Sequence, residues 1–118
     1  MSGNLEINER HEAGVAIVSL KGRLDAASSQ EAEQRMNSLI DAGDRSILVN
    51  LGDLDYISSS GLRVLLASLK RLKKTGGDLH IACPKPAVRD VFTMAGFHRI
   101  FTIDDDEASA LSSFTEKA

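Results

Sequence analysis

Tryptophan is absent from the 118 residues, tyrosine occurs once and phenylalanine four times. A surface built to stack nucleobases needs more aromatic faces than that. Positive charge is not in excess either: 14 Lys and Arg stand against 17 Asp and Glu, a net charge of -3. Nucleic acid is therefore not an expected partner. The single cysteine, Cys83, excludes an internal disulfide and fits a reducing compartment. It falls at the end of a strand-like run, just before Pro84, with no histidine or acid beside it, and reads as a partly buried thiol. No apolar run approaches membrane-spanning length, and Met1 to Glu6 lack a basic stretch followed by an apolar core. The expectation is a cytoplasmic protein without membrane insertion.

The chemistry of the common catalysts is missing as well. There is no Gly-x-Ser-x-Gly elbow, no phosphate loop ending in Gly-Lys-Ser or Gly-Lys-Thr, no Gly-x-Gly-x-x-Gly and no Cys or His cluster at metal spacing. His11 falls in a predicted hairpin turn, His80 inside a strand and His98 before the last strand, so no base is placed next to a nucleophile. Asp104-Asp105-Asp106 lacks the ligand spacing of a calcium loop and suits a helix N-terminus. No catalytic residue, cofactor or metal is expected.

What is present is an ordinary globular composition, 42% hydrophobic and 26% charged, in a chain of one-domain length, residues 1–118. Such a chain buries roughly two thirds of its unfolded surface and needs no staple. Leu5 and Ile7 alternate with polar residues, and after a turn at His11 to Gly14 the run Val15 to Leu20 reads as a second, more buried strand of a hairpin. Gly22-Arg23-Leu24-Asp25 is read as the break that ends it. Ser28 and Glu31 have the spacing of a capping box, Ala32, Met36, Leu39 and Ile40 form the buried stripe of a helix, and Gly43 stops it. Asp25 then lies in a loop, where aspartate commonly organises a turn through its own carboxylate.

Residues 46–51 read as the next strand and residues 52–57 as a loop. Leu62, Leu65, Leu66, Leu69 and Leu72 mark one face of a helix that runs to about Thr75, with Lys70, Arg71, Lys73 and Lys74 near its end, where positive charge complements the helix dipole. A strand at residues 78–82, a short helix with Val88, Val91, Phe92 and Ala95, a strand at residues 100–103, and a closing helix from 104 to 117 with Ala108, Leu111 and Phe114 inward complete the chain. This alternation predicts an α/β fold: four to five strands in a mixed, mainly parallel sheet with about four helices. Loops leaving the carboxyl ends of parallel strands share one rim, and both Asp25 and the serine triplet Ser58-Ser59-Ser60 fall in such loops. The triplet stands where a strand hands over to a helix, a place that suits either an N-capping hydroxyl or a phosphate.

The run from Asn50 through Tyr56-Ile57-Ser58-Ser59-Ser60-Gly61-Leu62-Arg63 to Leu66 resembles the signature of bacterial anti-sigma factor antagonists, the STAS domain. Gly22 to Asp25 and Ala87 to Phe97 resemble two further elements of that family, in matching order and spacing. The resemblance implies a protein that binds an anti-sigma factor which is also a serine kinase and so releases a sigma factor. Phosphorylation ends the binding and a phosphatase restores it. By the same resemblance the acceptor is Ser59, two residues before Gly61, with Ser58 and Ser60 as its alternatives. The partner-contacting residues it implies are Asp25, Tyr56, Ser58, Ser59, Ser60, Gly61, Leu62 and Arg63. Many members have aspartate at the positions of Asn50 and Ser58, so two negative charges of the pattern are missing here. A second expectation keeps the fold without the switch: a STAS-type structural subunit of a signalling scaffold or transport complex. A third is nucleotide binding at the rim.

Overall fold

A computed structural model describes residues 4–115. Five strands, β1 (Leu5–Glu12), β2 (Val15–Leu24), β3 (Ser46–Ile57), β4 (Asp78–Ala82) and β5 (Thr102–Asp104), form one sheet in the order β1-β2-β3-β4-β5. β1 and β2 pair antiparallel through a two-residue turn whose residues, Ala13 and Gly14, both have positive φ, the geometry that matches strand twist in tight hairpins. Every later pair is parallel. The helices α1 (Ser29–Asp41), α2 (Ser59–Lys74) and α3 (Pro86–Met94) follow β2, β3 and β4, and α4 (Glu107–Thr115) follows β5. The expected mixed, mainly parallel sheet with four helices is thus the fold observed. The part of the closing helix read beyond Thr115 lies outside the described residues.

Alternation along the strands sorts the core into two layers. Ala16, Val18 and Leu20 of β2, Ile47, Val49 and Leu51 of β3, and Leu79 and Ile81 of β4 share the larger cluster with the stripes of α1, α2 and α3. The opposite face is narrower: Val15, Ile17, Leu48 and Ala82 meet Ala110 of α4, with Leu111 and Phe114 packed against them. Ala108, read as inward, is exposed, because Ala110 is the residue that faces the sheet.

Three boundaries differ from the sequence reading. Gly22 does not end β2. Its φ is +105° and a Cβ there would stand 2.1 Å from the Asn4 carbonyl oxygen, so a glycine lets the chain pass the start of β1 and the strand continue beside β3 to Leu24. Residues 52–57 are not a loop but the second half of β3. The register of β2 on β3 shifts between Ser19 and Lys21 and again between Gly22 and Arg23, each time with one more residue on β3. The bulges change the side-chain period locally, and Leu51, Leu54 and Ile57 all turn inward at intervals of three. Last, Phe97–Arg99 form a short 3-10 turn, which leaves Ile100 49% exposed and moves the final strand to Thr102–Asp104.

The strand order never reverses within the parallel part. An open α/β sheet holds small ligands in the crevice that such a reversal creates.

Candidate functional site

Two strand-to-helix junctions meet on the rim. They are tied by the Ser58 amide, which donates to the Leu24 carbonyl at 2.9 Å. At the first junction the Asp25 carboxylate accepts from the amides of Ala27 and Ser28 at 3.0 and 3.2 Å, and organises the turn as its position suggested. Ser28 is 1% exposed. Its hydroxyl does not close a capping box: it accepts from the Asp25 amide at 3.0 Å and donates to the Arg23 carbonyl at 2.8 Å. Desolvation pushes the Asp25 carboxyl upward, but the hydrogen bonds from Ser28 and Ala27 and the charge of Arg23 outweigh it and hold the group below its ordinary value.

At the second junction the three serines divide the work. Ser58 is the N-cap of α2, in extended conformation, and its hydroxyl accepts from the Gly61 amide at 3.2 Å. Ser59 is the first helical residue and is exposed, and among the described residues its hydroxyl has no hydrogen-bond partner. Ser60 is half-buried and faces the groove between α1 and α2. The amides of Ser59 and Ser60, in the first turn, lack intrahelical acceptors. Gly61 permits this arrangement: a Cβ there would come within 2.7 Å of Leu24 Cγ and 3.0 Å of Ile57 Cγ1, so only glycine lets the first turn of α2 settle onto the strand ends.

Of the remaining residues singled out in the sequence, Tyr56 is 40% exposed and Arg63 is exposed on α2. Gly61 and Leu62 are buried, so they position the turn from beneath and present no side chain to a partner. Arg23 was not singled out as a site residue, yet it joins two that were. Its guanidinium carbon lies 4.3 Å from the centre of the Tyr56 ring and its Nε 3.7 Å from Asp25 Oδ2. The signal was available only across strands, since Arg23 pairs in register with Tyr56. Beside them Lys85 pairs with Asp55 at 2.5 Å and holds that carboxyl below its ordinary value.

The two departures from the family pattern have structural roles. The Asn50 side-chain oxygen accepts from the Gly52 amide at 2.8 Å while its amide donates to Glu107 at 2.9 Å, and Glu107 also pairs with Arg10. An aspartate at 50 would set a carboxylate against Glu107 and weaken the seat of α4. Serine at 58 serves as the cap, a role that aspartate fills about as well.

Asp78, His80 and Ser113 line up in the order of a catalytic triad, with His80 Nε2 3.1 Å from Asp78 and Nδ1 2.6 Å from Ser113. His80 is fully buried, its ring is stacked 3.8 Å from that of Phe114, and the Ser113 hydroxyl also lies 2.7 Å from the Ala110 carbonyl. With the His80 imidazole shut off from solvent, the trio fastens α4 to β4. Burial, reinforced by Glu107 and Asp106, pushes the Cys83 thiol up, against any role as a thiolate nucleophile. Among the described residues no group of three or more acids, His or Cys is arranged to hold a metal ion, and no helix is long and apolar enough to cross a membrane.

A five-stranded sheet with this order, a serine-rich turn opening α2 and an aspartate turn beside it define a known class. Residues 5–110 match the STAS domain, and the chain belongs to that family. Within it the chain is similar to bacterial anti-sigma factor antagonists. It is 38% identical over 101 residues to a Bordetella bronchiseptica protein named as the anti-sigma factor antagonist BtrV, covering 86% of this chain and 87% of that one. It is 34% identical over 110 residues to the anti-sigma F factor antagonist of Paenibacillus polymyxa, covering 92% and 94%. Among solved structures, the unphosphorylated form of SpoIIAA superposes with a TM-score of 0.83 at 22% identity, covering 94% of this chain and 97% of that one. The phosphorylated form of Bacillus SpoIIAA gives 0.72 at 22% identity, covering 93% and 98%.

Proposed function

We propose that this protein is an anti-sigma factor antagonist whose unmodified rim binds an anti-sigma factor that is also a serine kinase, and that phosphorylation of Ser59 ends the binding. The observation that carries this reading is the division of labour in the triplet: Ser58 is committed to the cap, Ser60 is turned toward the groove, and of the three only Ser59 is exposed with a hydroxyl uncommitted among the described residues. The names of the relatives, as antagonists of anti-sigma factors, support the same partner class. A phosphatase restores the unmodified form, and the exchange takes place in the cytoplasm.

The switch is electrostatic. A phosphoserine carries nearly two negative charges at neutral pH, and at the first turn of α2 it faces unpaired amides and the positive end of the helix dipole. The free domain thus tolerates the phosphate without refolding. A docked partner does not: against one carboxylate about 6 Å away, at an effective dielectric near 20, repulsion is on the order of 5 kcal/mol. The same pair in a wet contact, at a dielectric near 80, loses only about 1.4 kcal/mol. A sharp switch therefore requires that the rim be desolvated by the partner.

The test uses the unmodified protein and Ser59→Asp as matched baits in extract of the native organism, read by mass spectrometry, followed by phosphorylation with the recovered kinase and ATP. Recovery of an anti-sigma-type serine kinase by the unmodified bait alone, with label at Ser59 and none on Ser59→Ala, is the expected result. Equal recovery of a scaffold or transporter by both baits would overturn the switch and favour the structural-subunit reading.

A further inference from the structure

The basic cluster of α2 separates into two sets. Arg71 pairs with Asp41 at 2.8 Å and with the Asn37 side chain at 3.0 Å, and Lys73 pairs with Asp78 at 3.3 Å, so these two serve the fold. Arg63, Lys70 and Lys74 have no carboxylate within ion-pair distance among the described residues, although seven of the other arginines and lysines do: Arg10, Arg23, Arg35, Arg71, Lys73, Lys85 and Arg89. At about 100° per residue, Ser59, Arg63, Lys70 and Lys74 fall within a stripe about 60° wide. The stripe thus begins at the exposed serine and continues down the helix as a row of unspent cations.

Alongside it runs an open groove of about 730 Å³ between α1 and α2, where Val64, Leu66 and Ala67 of α2 alternate with the polar side chains of Ser29, Gln30 and Ser60, with Arg63 and Lys70 on one side and Glu33 on the other. A strip of aliphatic side chains within a partly polar groove, bordered by cations on the α2 side, is complementary to an amphipathic helix that carries acids along that flank. A more extended polyanion fits less well, because the chain as a whole has a net charge of -3 and repels it beyond the stripe.

We propose that this groove is the docking surface for an acidic amphipathic helix of the partner, and that phosphate on Ser59 competes for its first cation. Arg63 is four residues after Ser59, the spacing and order, acid before base, at which helical ion pairs form best. A phosphate on Ser59 draws Arg63 toward itself and places like charge at the head of the groove, so the incoming acid loses a counter-charge and meets a repulsion. The second half of the proposal rests on Ser59 being the acceptor; the first half does not.

The test titrates the full chain, labelled with 15N, with two synthetic peptides in low salt: a 15-residue amphipathic helix flanked by Glu, and its twin with every Glu replaced by Lys. The Glu peptide is expected to shift the amides of Gln30, Val64, Ala67 and Lys70 and the Lys peptide to leave them in place. Arg63→Glu combined with Lys70→Glu is expected to weaken the Glu peptide at least about tenfold and to admit the Lys peptide, while circular dichroism reports an unchanged fold. Ser59→Asp should weaken the Glu peptide about threefold, and Ser59→Ala should not. Equal binding of both peptides, shifts outside the groove, or indifference to the charge reversal would overturn the docking surface. A working charge reversal with no effect of Ser59→Asp would overturn the competition for Arg63. Because the peptides stand in for the partner, the outcome is read independently of whether an anti-sigma kinase is recovered.

Discussion

At the β2–α1 junction Ser28 is 1% exposed and its hydroxyl is bonded on both sides, whereas one strand away, at the β3–α2 junction, Ser59 is exposed with an uncommitted hydroxyl among the described residues. Both junctions leave the carboxyl end of a parallel strand, and both open a helix with serine. The difference lies in what closes the turn. Asp25 and Ser28 close the first from within and leave nothing over, while Ser58 closes the second and leaves the hydroxyl of the next residue uncommitted among the described residues. The acceptor proposed above thus keeps its hydroxyl free because its neighbour carries the structural duty.

Each variant below tests that division. The largest effect belongs to Ser59→Asp, expected to weaken the partner by at least about a hundredfold, ~3 kcal/mol, measured by calorimetric titration, with the thermal midpoint unchanged. Ser28→Ala should do the reverse. It leaves the Asp25 amide and the Arg23 carbonyl without their shared partner, at about 1–3 kcal/mol of stability in urea unfolding, and lowers partner affinity only through the disordered turn. Ser58→Ala removes the cap at about 1 kcal/mol, whereas Ser58→Asp, with a carboxylate accepting from the Gly61 amide, should unfold at the same urea concentration as the parent. If Ser58→Ala were silent and Ser59→Ala destabilising, the assignment of duties would be inverted.

The smallest effect is the titration of Asp25. Its carboxyl is held below the ordinary aspartate value, so the turn's stabilisation is complete above that value and is lost as the pH falls through the lowered one. The amides of Ala27 and Ser28 should therefore titrate with a midpoint below 3.8 in NMR spectra, and a midpoint at or above 3.8 would remove the hydrogen bonds from the account.

Sequence alone carried the layer pattern and the junctions further than it carried their details. Ile47 to Leu51 and the leucines of α2 repeat at the strand and helix periods, and burial follows them. Beyond Leu51 the bulges of β3 convert a period of two into one of three, and that spacing beside Gly52 and Asp53 imitates a loop. The cause is pairing with β2, which no local window contains. The same reason hid Arg23, whose partners Tyr56 and Asp25 converge only when the strands are in register. At Ser28 two local motifs competed, a capping box with Glu31 and a turn with Asp25. The hydroxyl of buried Ser28 bonds the Arg23 carbonyl and the Asp25 amide instead, and the second prevailed. Leu62 shows the opposite limit: a residue adjacent to a site in sequence can face wholly away from it.

The strand order β1-β2-β3-β4-β5 also bears on how the chain reaches its native state. Each strand lies beside its immediate predecessor, so a growing or collapsing chain adds every new unit to one already formed, and none waits for a distant segment to complete its pairing. Such nearest-in-chain assembly keeps each closing loop to one helix and its connections, shorter than an order that skips a strand would need. It can proceed from the hairpin onward during synthesis. The last unit, a three-residue β5 followed by α4, pairs on one side only and is the sector expected to exchange its amide hydrogens first.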